Sequence, residues 1–202
     1  MTYPRAPLSY YLKDARTLAK ELLGAFLVHR VADASDQLER VGRIVETEAY
    51  RGPRDAASHA RVGLTERTRV LLGPPGRAYV YLVYGMHECF TVVCYRAGEG
   101  HAVLVRAVEP VKGVAPGARG DGPGRLAKAL HLTRAHNDGD LVRGPVFLSP
   151  RPSGDRVDVG RSARVGVAYA GEMATRPWRF FDRASRHVSR PPRSAIGLGA
   201  VT

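Results

Sequence analysis

Residues 42–50 read Gly-Arg-Ile-Val-Glu-Thr-Glu-Ala-Tyr and run into Arg51-Gly52-Pro53. The β-branched approach through Ile44 and Val45 predicts a strand. Period-two alternation places Ile44, Glu46, Glu48 and Tyr50 on one face, and Arg43, Val45, Thr47 and Ala49 on the other. Two carboxylates one pleat apart constrain such a strand strongly, because Glu is depleted in strands and like charges on one face repel. Either this strand walls a polar pocket, or it is a solvated edge whose carboxylates keep it soluble. Spacing alone favours the solvated edge slightly, and it does not choose between Glu46 and Glu48.

Around this strand the chain predicts short elements. Asp14 is an N-cap candidate for an amphipathic helix over 15–23, with Leu18 and Leu22 at i, i+4 and Gly24 as its terminator. Residues 1–13 read as an extended lead-in. Strands are expected over 25–31, 41–50, 77–84, 88–95, 101–108, 142–148, 163–170 and 178–181. A short helix is expected over 125–132. The run Tyr84-Gly85-Met86-His87 joins two β-rich segments and signals a hairpin with Gly85 as pivot. Residues 51–76 are a long irregular connection, of a length that inside a compact domain is usually functional or disordered, with room for a helical turn over 56–60. Short strands dominate with few helices between them, so the expected fold class is α+β: a single mixed domain around a curved antiparallel sheet with a protruding β-hairpin. The domain is expected to span 1–190, followed by a flexible basic tail over 191–202.

With 202 residues, the chain is long enough for a proper core. Its formal charge is +12 and only four of its 31 basic residues are lysine. Arginine suits bidentate phosphate contacts, so a polyanion is the expected partner. The competing explanation is a compositional bias or heat adaptation that scatters Arg over the whole chain. Cys89 and Cys94, at i, i+5, point to opposite faces of a regular strand, which argues against a local disulfide. No metal-ligand spacing appears, so neither a metal site nor a cofactor is expected. No apolar run is long enough to span a membrane, and the expected location is the cytosol or nucleoid.

Three groups could carry chemistry. Glu46 or Glu48 could act as a general base, with Arg106 holding the carboxylate ionised and aimed. Tyr50, Tyr81 and Tyr79 could stack on a planar ligand. Tyr84 at the hairpin tip could wedge into duplex DNA and ease the extrusion of a base. Each Tyr taken singly is better read as an ordinary half-buried strand aromatic, His59 could serve as acid, base, metal ligand or stacking group, and for Arg106 edge exposure is the commoner explanation.

Taken together, Gly42–Tyr50, Gly52-Pro53, Ser58-His59, Gly73-Pro74-Pro75-Gly76, Tyr79–His87, Val105–Pro110, Gly122–Leu126, Arg164–Val167, Gly171-Glu172 and Arg176–Phe180 resemble the alkyladenine (3-methyladenine) DNA glycosylase family in family order. The resemblance covers about residues 8–190. It implies base excision repair by a single mixed α/β domain, without metal or lyase step. Glu48 matches the family's general base. The water would be held by Glu48, Arg106 and the main chain at His59. The flipped base would lie between Tyr50 and Tyr81 with His59 alongside, and Tyr84 would be the wedge, flanked by Met86 and His87.

The expected partner is double-stranded DNA carrying 3-methyladenine, 7-methylguanine, hypoxanthine or ethenoadenine, and a single protomer is the expected working unit. Two positions depart from the family pattern. Thr91, in the base pocket, stands where an Asn is common, and Thr65-Glu66-Arg67-Thr68 replaces a Thr-Pro-Arg-Asn run. The alternatives weighed against an enzyme are a damage-binding protein without excision activity, an RNA-binding module and a basic structural protein.

Overall fold

The longest strand sets the architecture. In the computed structural model, which describes residues 2–32, 37–83 and 85–189, strands β1 (Phe26–Ala32) and β2 (Gln37–Arg51) form an antiparallel pair. Strands β3 (Ala78–Val83), β4 (His87–Cys94) and β5 (His101–Lys112) follow, then β6 (Val146–Ser149), β7 (Val159–Ser162) and β8 (Arg179–Asp182). They form a curled antiparallel sheet in the order β3-β4-β5-β2-β1-β6, with β8 paired to both β2 and β7. Strand β2 pairs with β5 along one edge. Its other edge serves β1 through Arg43 and β8 at Glu46–Glu48.

That exchange of partners happens at a bulge. The β2–β5 register shifts between Ile44 and Glu46, and again between Glu46 and Thr47, where Arg106 is the extra residue on β5. A bulge inserts one residue into one strand and re-aims the side chains beyond it. The sequence alternation that groups Ile44 with Glu46, Glu48 and Tyr50 is therefore corrected: Ile44 packs in the main core together with Ala49, Val105 and Val108.

The helices cover one face of the sheet. Helix α1 (Leu8–Tyr11) falls inside the stretch expected to be an extended lead-in, and its Tyr11 is buried. In helix α2 (Ala15–Glu21), Leu18 and Ala19 are buried, as is Leu22 just beyond it, and the Asp14 side chain accepts from Arg16 N–H as the N-cap. Helix α3 (Pro123–Ala129) starts two residues earlier than expected because Pro123 fits its first turn. Leu126 and Leu130 then pack with Phe90, Val92 and Cys94 of β4. Cys89 lies on the opposite face of β4, and both thiols are free. Among the described residues no helix is long and apolar enough to cross a membrane.

Two further expectations shift. Residues 163–170 do not form a strand: β7 ends at Ser162, and Gly166 at φ 75° precedes a 3-10 segment, Ala168–Thr175, broken at Gly171. The 51–76 connection holds 3-10 turns at Gly52–Arg54 and His59–Val62 rather than a turn over 56–60. Thr65 and Thr68 close its next turn, with Thr68 Oγ1 donating to Gly63 O at 2.6 Å and Thr65 N–H donating to Thr68 Oγ1 at 2.8 Å. The basic tail over 191–202 lies outside the described residues.

Gly52 anchors the start of this connection. Its φ is +74°, and a Cβ there would lie 1.9 Å from the Glu99 carbonyl oxygen. Gly52→Ala therefore combines a left-handed backbone with a main-chain clash, and should lower the unfolding free energy by about 1–3 kcal/mol in urea titrations. A midpoint equal to wild type would contradict this packing.

Candidate functional site

The face of the sheet opposite the helices floors a cavity of about 470 Å³. Alternation delivers Tyr79, Tyr81 and Val83 from β3, Cys89 and Thr91 from β4, and Ala102, Leu104 and Arg106 from β5. Tyr50 comes from the end of β2. The 51–76 connection contributes His59 and Leu71, and the segment after β7 contributes Val165, Gly166, Val167 and Tyr169.

The two carboxylates lie behind the wall of this space and have different surroundings. Both are fully buried. Glu46 is saturated. Its Oε1 accepts from Arg106 Nε at 2.9 Å, Arg179 Nε at 2.7 Å and Ser189 Oγ at 2.9 Å. Its Oε2 accepts from Ser189 N–H at 2.6 Å. Glu48 Oε1 accepts from Val165 N–H at 2.7 Å and faces Arg106 Nη1 at 3.4 Å. Glu48 Oε2 accepts from the Tyr50 hydroxyl at 2.8 Å.

Glu48 therefore sits one layer behind the cavity wall, bonded to three residues that line it. Arg106 is not edge-exposed but 8% accessible. Burial pulls its pKa down, and the Glu48 and Glu46 carboxylates outweigh that and hold it above the ordinary value. Burial first, and the Glu48 charge second, keep the Tyr50 phenol protonated far above its ordinary range. The phenol is thus a hydrogen-bond donor to Glu48 at any working pH.

The aromatic wall is pre-formed. Tyr79 and Tyr81 stack with centroids 4.9 Å apart, and His59 meets Tyr81 edge-on at 4.7 Å. His59 Nδ1 lies 3.1 Å from the Tyr79 hydroxyl. Burial, reinforced by the Arg67 and Arg61 charges, lowers the His59 pKa to about 4. Arg67, aimed by the Thr65–Thr68 turn, reaches over the Tyr81 ring at 5.7 Å. Burial also pushes the Cys89 thiol up to about 11. Thr91 is 3% exposed, and its hydroxyl has no hydrogen-bond partner among the described residues. A polar group left in that state in a cavity wall is a ready contact for a ligand.

The residues expected to contact DNA stand apart from this floor. Met86 is 74% exposed at the β3–β4 tip, and exposed His87 packs over Gly124 at the start of α3. Tyr84 lies outside the described residues. A second cavity of about 580 Å³ joins the first through Arg106, Val83 and Pro123, and His87, Arg125 and Lys128 line it. Among the described residues no three His, Cys, Asp or Glu side chains converge as a metal site would need.

Several supporting residues carried no assigned role in the sequence. Arg164 forks onto Asp55 with bonds of 2.6 and 2.9 Å, and both side chains are buried. Arg164 also donates to Ala49 O and Met173 O, and lies over the Tyr50 and Trp178 rings. Asp55 in turn accepts from Arg51 N–H and Ala57 N–H. This strut ties the His59 connection to the segment that bonds Glu48. Arg164 and Arg179 sit inside quoted motifs, but a chain rich in arginine offers no signal for which ones are buried.

Burial is the largest cause of lowered pKa at His29, His59 and His101, so the fold holds all three neutral. The unfolded chain takes up protons below about pH 6.5 that the native chain refuses, so stability present at neutral pH is lost as pH falls toward 4. Thermal melts from pH 7 to 4.5 should show this loss, and His59→Gln should make it smaller. An equal loss in that variant would contradict the burial argument for His59.

Comparison with known proteins places these features in a family. The model of the methylpurine-DNA glycosylase family matches residues 9–186. A protein of Myxococcus xanthus strain DK1622 is 55% identical over 186 residues, covering 92% of this chain and 94% of that protein. One from Anaeromyxobacter dehalogenans strain 2CP-1 is 47% identical, covering 95% and 88%. A third, from Legionella pneumophila strain Corby, is 42% identical, covering 92% and 98%. All three carry the name "Putative 3-methyladenine DNA glycosylase". The expected resemblance is thereby borne out: the chain belongs to the methylpurine-DNA glycosylase family and is a DNA glycosylase, a hydrolase of N-glycosyl bonds.

Proposed function

We propose that this enzyme flips alkylated or deaminated purines out of duplex DNA and hydrolyses their N-glycosidic bonds, with Glu48 as general base. The observation that carries the assignment is the contrast between the two carboxylates. Glu46 accepts four hydrogen bonds and, of its partners, only Arg106 lines the aromatic cavity, whereas Tyr50, Val165 and Arg106 all join Glu48 to it. Glu48 Oε2 accepts only the Tyr50 hydroxyl, which leaves a lone pair for a water proton. In this reading Val165 N–H and Arg106 orient Glu48, which takes the proton as the water oxygen bonds to C1′. The glycosidic bond breaks, and its electron pair leaves with the purine. Negative charge at Glu48, before the proton is taken, favours the oxocarbenium-like sugar.

The cavity wall also fits the leaving group. Its volume suits a planar base, and its Tyr rings offer π faces to a cation. His59 is neutral near pH 7, so no imidazolium repels a charged N3- or N7-alkylated purine such as 3-methyladenine or 7-methylguanine. Hypoxanthine and ethenoadenine are neutral and need protonation in the transition state. Tyr50, Tyr81 and His59 hold the base, and Thr91 contacts its edge. Met86 and His87 flank the Tyr84 wedge. The proposed enzyme is monofunctional, without a lyase step; among the described residues Lys128 lines only the adjoining cavity, not the aromatic one. The enzyme works as a single protomer on nucleoid DNA in the cytosol.

One observation favours a second reading, damage binding without excision: the Tyr50 hydroxyl covers Glu48 on the cavity side. Single-turnover excision from duplexes carrying hypoxanthine, ethenoadenine or an N-alkylpurine separates the two. Glu48→Gln should slow excision by at least about 100-fold while damaged-duplex binding persists. Tight binding by wild type with no excision of any lesion would replace catalysis with damage sensing. Tyr84→Ala should weaken damaged-duplex binding, and unchanged binding would remove the wedge assignment.

A further inference from the structure

Glu46 and the C-terminal segment stand outside the proton transfer, yet Glu46 touches the residue that aims it and the segment touches Glu46. Glu46 is fully buried on β2, between Arg106 of β5 and Arg179 of β8. Arg106 spans both carboxylates, with Nε 2.9 Å from Glu46 and Nη1 3.4 Å from Glu48. Its shorter contact is to Glu46. That contact fixes the guanidinium plane and keeps the Arg106 charge from collapsing onto Glu48. Ser189 closes the arrangement by giving Glu46 both its main-chain N–H and its hydroxyl. Ser189 lies beyond residue 186, where the match to the family model ends.

We propose that Glu46 is a positioning residue for Arg106, and that Ser189 clasps Glu46, so that seating of the C-terminal segment sets the excision rate. The inference rests on Glu48 acting as the general base. Without Glu46, Arg106 loses its orienting partner and turns its full charge toward Glu48. A carboxylate drawn into a close ion pair is a weaker acceptor of the water proton, and small misplacements of such groups are costly. Seating of the lesion base is untouched by Glu46, which lines neither cavity, while Ser189 lines the adjoining cavity with His87 and Arg125, so duplex affinity is measured beside the rate.

The test is a double-mutant cycle in single-turnover excision from a hypoxanthine duplex, with lesion-duplex affinity measured alongside. Glu46→Gln should slow excision by about 10–100-fold with little change in affinity. In an Arg106→Gln background the same change should add almost nothing, because Glu46 works through Arg106. Ser189→Pro removes both clasp donors at a partly exposed position, and should slow excision about 3–10-fold by the same coupling.

Full additivity of Glu46→Gln with Arg106→Gln would mark a merely structural role and overturn the proposal. Wild-type rates in both Glu46→Gln and Ser189→Pro would overturn it as well. Should Glu46→Gln fail to fold, the Ser189→Pro cycle with Arg106→Gln decides by the same criterion. Glu48→Gln, run in parallel, separates the two layers. If it excises normally, the general-base reading fails. If it is inactive while Glu46→Gln and Ser189→Pro are normal, only the positioning role fails.

Discussion

Four charges buried side by side are the constraint on which the rest of the structure depends. Glu46, Glu48, Arg106 and Arg179 come from three strands, and none is more than 8% exposed. A lone ion in such a place costs several kcal/mol, and it is tolerated only when partners surround it. The cluster carries two negative and two positive charges, so the burial is balanced. The sheet is shaped to make it so. Bulges at Val45 on β2 and Arg106 on β5 break the β2–β5 register, and β2 passes from β1 to β8 there. The same distortion that frees an edge for Arg179 turns Arg106 between the two carboxylates.

Around that cluster the fold separates two environments. The helix-covered face holds the apolar core, while the opposite face holds aromatics, a buried hydroxyl and neutral histidine. The Arg164–Asp55 strut stabilises the second environment without entering its chemistry, tying two irregular segments to the end of β2. Irregular backbone suits this position, because a main-chain N–H from Val165 can reach Glu48 where a paired strand would have spent it on a ladder. The high positive charge of the chain lies largely outside the site, where it suits phosphate contacts.

Much of this was legible in the sequence, and the gaps have physical causes. Strict alternation correctly put Tyr79 with Tyr81 and separated Cys89 from Cys94, because β3 and β4 pair without interruption. The same rule misplaced Ile44, since a one-residue bulge flips every side chain beyond it and leaves no compositional mark. Residues 163–170 read as a strand because Val165 and Val167 alternate with small residues, but Gly166 takes a left-handed turn there. The choice between Glu46 and Glu48 was closed to spacing. Their surroundings differ through Arg179 and Ser189, more than 130 residues away in the chain, both brought to Glu46 by strand pairing or its continuation. Likewise, nothing local marks Arg164 as a buried arginine among so many exposed ones.

The central claim is that Glu48, aimed by Arg106 and Val165, meets a purine held against Tyr50, Tyr81 and His59. The most direct measurement is a crystal structure on duplex DNA whose hypoxanthine nucleotide carries a 2′-fluoro group to slow cleavage. The account predicts the purine inside the cavity and one water within about 3 Å of both Glu48 and C1′. A purine left stacked in the duplex, or a seated purine whose C1′ faces Glu46 or no carboxylate, would contradict it.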